Sequence, residues 1–196
     1  MAQKLILLCC CPTSAMRRAV FPSDDAADDV FLERAGSAAG RAGRFDRVLT
    51  SPALRASQTA RLFAPEPAPE PALADQDMGE WAGRSLAEIG QADPAGLAGW
   101  LSDHEARPPG GEAFAGVYGR AGRFLDDLLG RGGVTLAVTH PAVIRAAILG
   151  VLVAPSACFA HIDVAPLGAT EFRGDGRRWT LRATGLDLPA LALVKA

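Results

Sequence analysis

No stretch of this 196-residue chain approaches the roughly 18 consecutive apolar residues that a membrane-spanning helix requires. An excess of one charge is also missing: 20 Lys and Arg are interspersed with 22 Asp and Glu. The resulting net charge of −2 presents no basic face for nucleic acid. The four cysteines do not make a disulfide framework, because three are adjacent (Cys9, Cys10, Cys11) and the fourth, Cys158, sits in a separate apolar segment. Adjacent cysteines rarely meet disulfide geometry, so a reduced, cytoplasmic setting is expected. The opening is not expected to be a secretory leader. Lys4 precedes "LILLCCC", but that apolar run is short and no small-residue cleavage site follows. The residues before Cys9 are large where a lipoprotein attachment site has small ones. A metal site is not expected at the triple cysteine either. Side chains alternate along an extended strand, which would turn Cys10 away from Cys9 and Cys11. There is no internal repeat.

What is present is the composition of a globular protein, 49% hydrophobic and 21% charged, long enough for one domain with a sizeable core. "KLILLC" (Lys4–Cys9) reads as a fully buried strand, and "RVLTSP" (Arg47–Pro52) as a second strand stopped by its proline. Helices are expected over Phe31–Arg41 and Ala53–Ala64, the second with Ser51 at its N-cap. "PEPAPEPA" (Pro65–Ala72) should be a stiff extended connector. Residues 75–109 alternate loops with short helices. Glu112–Gly130 has the spacing of a longer amphipathic helix. "GVTLAVTH" (Gly133–His140) is a strand, and "PAVIRAAILGVL" begins a helix with proline in its first turn. The tail, about Ala157–Ala183, reads as two or three strands with turns at "PLG" and "GDGRR". Strands alternating with helices predict an α/β layered architecture.

Chemistry concentrates where buried strands run out. One ends at Cys9–Thr13 and another at His140, the places where an open α/β sheet presents a site at its carboxyl edge. Arg55 begins a helix that directly follows a strand. A guanidinium there, beside backbone N–H donors, suits phosphate. Each residue also has a plain alternative: His140 as a strand-end histidine held by a carbonyl, Arg55 as a solvated surface side chain.

A series of phrases in fixed order resembles the histidine phosphatase superfamily, the phosphoglycerate-mutase-like proteins, from about Lys4 to Arg182. "VLTSPALRASQTARLFA" is similar to that family's second arginine motif at Ser51, Pro52, Arg55, Gln58, Thr59 and Ala60. "LADQDMGEWAGRSLAEI" resembles its acid-containing loop, with Asp75 where glutamate is usual, then Gly79, Trp81 and Gly83. "PPGGEAFAGVYGR" looks like its Pro-Gly-Gly-Glu-Ser segment, with Ala113 for the serine and Arg120 further along. "LAVTHPAVIRAAI" resembles its His-Gly strand end, with His140, Arg145 and Pro141 for the glycine. The resemblance implies a single domain over 1–196: a three-layer sandwich of helices around a mostly parallel sheet, with a small partly helical cap insertion at about 75–109. It implies no cofactor or metal, and as ligand inorganic phosphate or a small phosphorylated molecule of the kind taken by bacterial alpha-ribazole or broad-specificity phosphatases.

In the same register "LILLCCCPT" lies over the family's Arg-His-Gly-Glu-Thr. Cys9 falls on a phosphate-binding arginine, Cys10 on the nucleophilic histidine, Cys11 on the glycine and Pro12 on the glutamate; only Thr13 matches. The resemblance therefore implies Cys10, His140 and Asp75 at catalytic positions and Arg55, His140, Thr13 and Cys9 at phosphate-binding ones. The nucleophile and one arginine clamp are replaced, so hydrolysis is expected to be weak, altered or lost. Cys10 as a substitute nucleophile, a non-catalytic binding protein, and a plain core role for Cys9 and Cys10 all remain open. So does a cysteine phosphatase built on "CPTSAMR", whose Cys11 and Arg17 fit a Cys-x5-Arg spacing.

Overall fold

A computed structural model describes residues 3–40 and 42–188. The strands are β1 (Gln3–Cys9), β2 (Arg47–Thr50), β3 (Ala68–Pro69), β4 (Gly133–Thr139), β5 (Ala169–Gly174) and β6 (Trp179–Leu186). They form one sheet in the order β3-β2-β4-β1-β5-β6. β3, β2, β4 and β1 run parallel, while β5 and β6 form an antiparallel hairpin on the β1 edge. The helices are α1 (Asp29–Ala39), α2 (Leu54–Ala60), α3 (Leu86–Ala92), α4 (Pro94–Ser102), α5 (Phe114–Leu128) and α6 (Pro141–Val151).

The apolar run of β1 is buried on both faces, and its alternation divides two cores. Leu5, Leu7 and Cys9 face a cluster built with α5 and α6, whereas Ile6 and Leu8 join Leu136 and Val138 of β4 against α1 and α2. Helices on both faces of a mostly parallel sheet are what such unbroken apolar strands require.

Several boundaries move from their sequence positions. The helix expected at Phe31–Arg41 begins earlier, because the Asp28 carboxylate accepts the Val30 N–H and caps it; Arg41 lies outside the described residues. The connector at 65–72 contributes the two residues of β3, and the tail contains two strands preceded by a 3-10 turn over Ser156–His161. Ser51 is not an N-cap of α2. The cap position is Ala53, and the Leu54 N–H is taken by the Asp24 carboxylate at 2.8 Å. The Ser51 hydroxyl accepts the Ala53 N–H and is otherwise engaged with a histidine.

Residues 75–109 carry a 3-10 turn at Gly79–Trp81 and the two short helices α3 and α4. Trp81, Phe21 and Ile89 make a small core of their own, with Trp100 meeting Phe21 edge-on at 5.3 Å between ring centroids. Among the described residues, no helix is long and apolar enough to cross a membrane.

Candidate active site

Strand register assembles the site. β1 and β4 are parallel with Cys9 opposite Thr139, so the next residue of each chain segment, Cys10 and His140, leaves the carboxyl edge side by side. The Cys10 N–H donates to the Thr139 carbonyl at 2.8 Å, locking that juxtaposition. β2 pairs with β4 on the other side, Thr50 opposite Val138, which brings Ser51 up to the same imidazole. Where the order of strands reverses beside β4 is also where open α/β sheets form their crevices.

His140 is completely buried, and each of its ring nitrogens has company. Nε2 lies 2.8 Å from the Ser51 hydroxyl. Nδ1 lies 3.4 Å from a carboxylate oxygen of Asp75 and 3.5 Å from Cys10 Sγ. The same Asp75 oxygen accepts a 2.6 Å bond from Arg55 NH2. Arg55 is itself buried, and NH1 donates to the Ser23 carbonyl at 3.2 Å. Its Nε has no acceptor among the described residues, although a buried charged donor left unpaired is costly. Four of the sequence-derived residues (Cys10, Arg55, Asp75 and His140) thus form one contact cluster.

The charges are mutually adjusted. Burial by itself would push the His140 imidazolium down, but the Asp75 carboxylate and the Cys10 sulfur outweigh it, and the net shift is upward. The Cys10 thiol is held well below its usual range, first by a hydrogen bond from Cys9 and then, against burial, by the positive charges of His140 and Arg55. Cys9, donating that bond from a buried position, is pushed up. The two shifts act together, toward negative charge on the Cys10 sulfur and positive charge on the His140 ring.

Asp75 is set by the scaffold beneath it. Arg120 donates to the Asp75 carbonyl at 3.0 Å and to the Ala72 carbonyl at 2.8 Å, and its fork closes on Glu112 at 3.1 and 3.0 Å. Gln76 donates to the Glu112 carbonyl at 2.8 Å, tying the same loop to the start of α5. A cleft of about 260 Å³, lined by Ser23, Asp24, Arg55, Asp75 and Asp77, reaches this cluster at Arg55 and Asp75.

Other sequence-derived residues fall elsewhere. Thr13 is buried and its hydroxyl accepts the Met16 N–H at 3.2 Å, so it shapes the turn after β1 without joining the cluster's hydrogen bonds. Cys9 packs into the α5 and α6 core and meets the cluster chiefly through Cys10. The expectation that Cys10 and Cys11 would face opposite ways does not hold. β1 ends at Cys9, the alternation ends with it, and both later cysteines join the α1 and α2 core. Cys11 is fully buried and its thiol is pushed up by that burial, while Arg17 is an exposed side chain paired with Asp28 at 3.0 Å. A phosphate loop around Cys11 and Arg17 has no geometric support. No group of three or more His, Cys, Asp and Glu among the described residues is placed to hold a metal ion.

Ser51 acquires its role only here: the motif marked it, yet its contact with His140 depends on the β2–β4 register, which sequence spacing does not reveal.

Known proteins share this arrangement of elements. The chain is similar to the structure of the alpha-ribazole phosphatase from Shigella flexneri, with a TM-score of 0.82, 24% identity and coverage of 93% of this chain and 96% of that one. It is also similar to mycobacterial glucosyl-3-phosphoglycerate phosphatase, with a TM-score of 0.83, 20% identity and coverage of 95% and 100%. In sequence it is 34% identical over 160 residues to a bifunctional protein of Mycobacterium tuberculosis, covering 76% of this chain. The chain spans 44% of the length of that relative. It is 32% identical over 127 residues to the adenosylcobalamin/alpha-ribazole phosphatase of Salmonella typhimurium, covering 61% of this chain and 63% of that protein. The profile of the histidine phosphatase superfamily (branch 1) matches residues 32–187, beginning after β1 and the cysteines at 9, 10 and 11. The chain belongs to the histidine phosphatase superfamily.

Proposed function

We propose that this chain binds phosphomonoesters of small metabolites at Arg55, His140 and Cys10, and that its hydrolytic step is weak or lost because Cys10 stands where the family has its nucleophilic histidine. The observation that carries the reading is the buried Arg55 guanidinium with an unpaired Nε, held next to a raised-pKa His140. Phosphate oxygens are the acceptors that such a pair of cations suits best. The structurally similar mycobacterial glucosyl-3-phosphoglycerate phosphatase has been solved in complex with inorganic phosphate, which supports the same ligand class here.

Turnover through Cys10 would proceed by thiolate attack on phosphorus. An S–P bond forms as the ester P–O bond breaks, and the leaving alcohol takes a proton from His140. Water then cleaves the S–P bond, releasing phosphate and restoring the thiol. Two features slow this route. Sulfur reaches less far from the backbone than an imidazole nitrogen, and a misplacement of about 1 Å can cost on the order of 100-fold. The clamp also has one arginine, with Cys9 in the place of the other, and that arginine is already shared with Asp75. Loss of one preorganised donor costs about 3–4 kcal/mol of transition-state stabilisation by analogy with oxyanion holes. The free cysteines fit a reducing compartment, which supports a cytoplasmic setting.

The test combines binding and turnover. Inorganic phosphate at millimolar concentration should raise the melting temperature of the wild-type chain, and Arg55→Ala or His140→Ala should abolish that rise. Turnover of p-nitrophenyl phosphate across about pH 4–9 should be slow or absent. No stabilisation by phosphate in the wild type would refute the binding site.

A further inference from the structure

The larger groove of this molecule lies away from the Cys10–His140 cluster. It has a volume of about 520 Å³ and runs between the β2–β3 edge of the sheet and α5. Its floor is apolar, with Leu49 of β2 facing Phe124 and Leu128 of α5, and Pro71 at one side. Its rim is dominated by guanidinium groups from Arg47, Arg120, Arg123 and Arg131, against the carboxylates of Glu70 and Asp127.

Three of those four arginines have no carboxylate partner among the described residues. Arg120 alone has a carboxylate partner, Glu112 at 3.0 Å. Arg47 spends Nε on the Thr135 hydroxyl at 3.2 Å and NH2 on the Gly132 carbonyl, both neutral acceptors. Arg131 donates Nε to the main-chain carbonyl of Asp127 at 2.6 Å, not to that residue's carboxylate. Arg123 has no side-chain hydrogen bond or ion pair among the described residues. Glu70 in turn uses an oxygen on the Ala72 N–H at 3.0 Å. The groove therefore combines three cations lacking anionic partners with a hydrophobic floor, at a volume within the ordinary range of small-molecule sites.

We propose that this groove binds a small organic anion, a phosphate or carboxylate group carried on a flat apolar body. The anionic group is held by Arg123, Arg131 and the free end of Arg47, for which bidentate pairing with a planar or tetrahedral anion is the natural mode. The apolar body lies over Leu49 and Pro71, with the buried Phe124 and Leu128 behind them. Arg120 borders the groove and also holds the Asp75 carbonyl, so the groove shares a wall with the scaffold of the catalytic acid position. This site is independent of the reading given for Cys10 and stands or falls separately.

Adenosine 5′-monophosphate, adenosine and inorganic phosphate serve as probes, read by backbone amide shifts of the full chain in solution. Adenosine 5′-monophosphate should shift residues 47–49, 70–72 and 123–131 saturably, separately from any response at Cys10 and His140. Both adenosine and inorganic phosphate should bind the groove at least tenfold more weakly. Arg123→Ala combined with Arg131→Ala alters only exposed side chains, and an unchanged amide spectrum away from the groove checks the fold. It should weaken the groove response at least tenfold while leaving the response at Cys10 and His140 unchanged. The proposal is overturned if the groove residues do not shift at millimolar adenosine 5′-monophosphate. It is equally overturned if the double variant binds as the wild type does, or if adenosine or inorganic phosphate alone matches the nucleotide.

Discussion

Ser51 shows how much one buried hydroxyl can decide. At 2.8 Å it is the partner of His140 Nε2, and neither group is reached by solvent. Ser51→Ala leaves that nitrogen unpaired in the interior, which should cost about 1–3 kcal/mol. Urea denaturation would read the loss, and the phosphate-induced rise in melting temperature should shrink with it. An unchanged denaturation midpoint would mean that the serine does not hold the ring. His140 itself makes stability depend on pH. Its folded pKa lies above the ordinary value of 6.5, so the imidazolium stabilises the fold. That contribution is fully present below about pH 6.5 and is lost as pH rises through the raised value. Melting temperatures between pH 6 and 9 should therefore show the wild type losing its advantage over His140→Gln as pH increases. A difference that grows with pH would contradict the assignment of a protonated His140.

Among the elements, the loop that delivers Asp75 is the one most dependent on backbone geometry. Gly79 has φ +49°, in the left-handed region, and a Cβ there would run into the Pro109 carbonyl. Gly111 faces it from the other side, where a Cβ would lie 2.5 Å from the Asp77 carbonyl. The Pro-Gly-Gly segment and the Gly79 turn are thus packed backbone to backbone, and this is why both carry glycine. Gly79→Ala should destabilise by roughly 1–3 kcal/mol, the usual cost of a forced backbone conformation, and displace Asp75 from Arg55. Thermal denaturation together with phosphate binding would detect both effects; a wild-type melting temperature would show that the loop yields freely.

At the scale of the whole molecule, the sheet was legible because β1 and β4 are unbroken apolar runs that end in polar residues, and only a layered α/β fold buries them on both faces. The cluster of Arg55, Asp75, His140 and Cys10 was legible through motif order, since each residue closes or follows a buried element. What the sequence could not carry depends on long-range register. The seat of Ser51 against His140, the Asp24 cap on α2 and the turning of Cys11 to the Cys10 face all require knowing which strand lies beside which. The arginine groove is likewise assembled from β2, the segment after β3 and the end of α5, which are far apart in sequence.

The account as a whole holds that a phosphate pocket persists while its nucleophile has been exchanged. The most direct measurement is p-nitrophenyl phosphate turnover by Cys10→His, alone and combined with Cys9→Arg. The imidazole would enter beside His140 at the end of β1, and the guanidinium would restore the second clamp. The account predicts turnover at least 100-fold above the wild type for the double variant, abolished again by Arg55→Ala. A correctly folded double variant that still binds phosphate but turns over no faster than the wild type would contradict it.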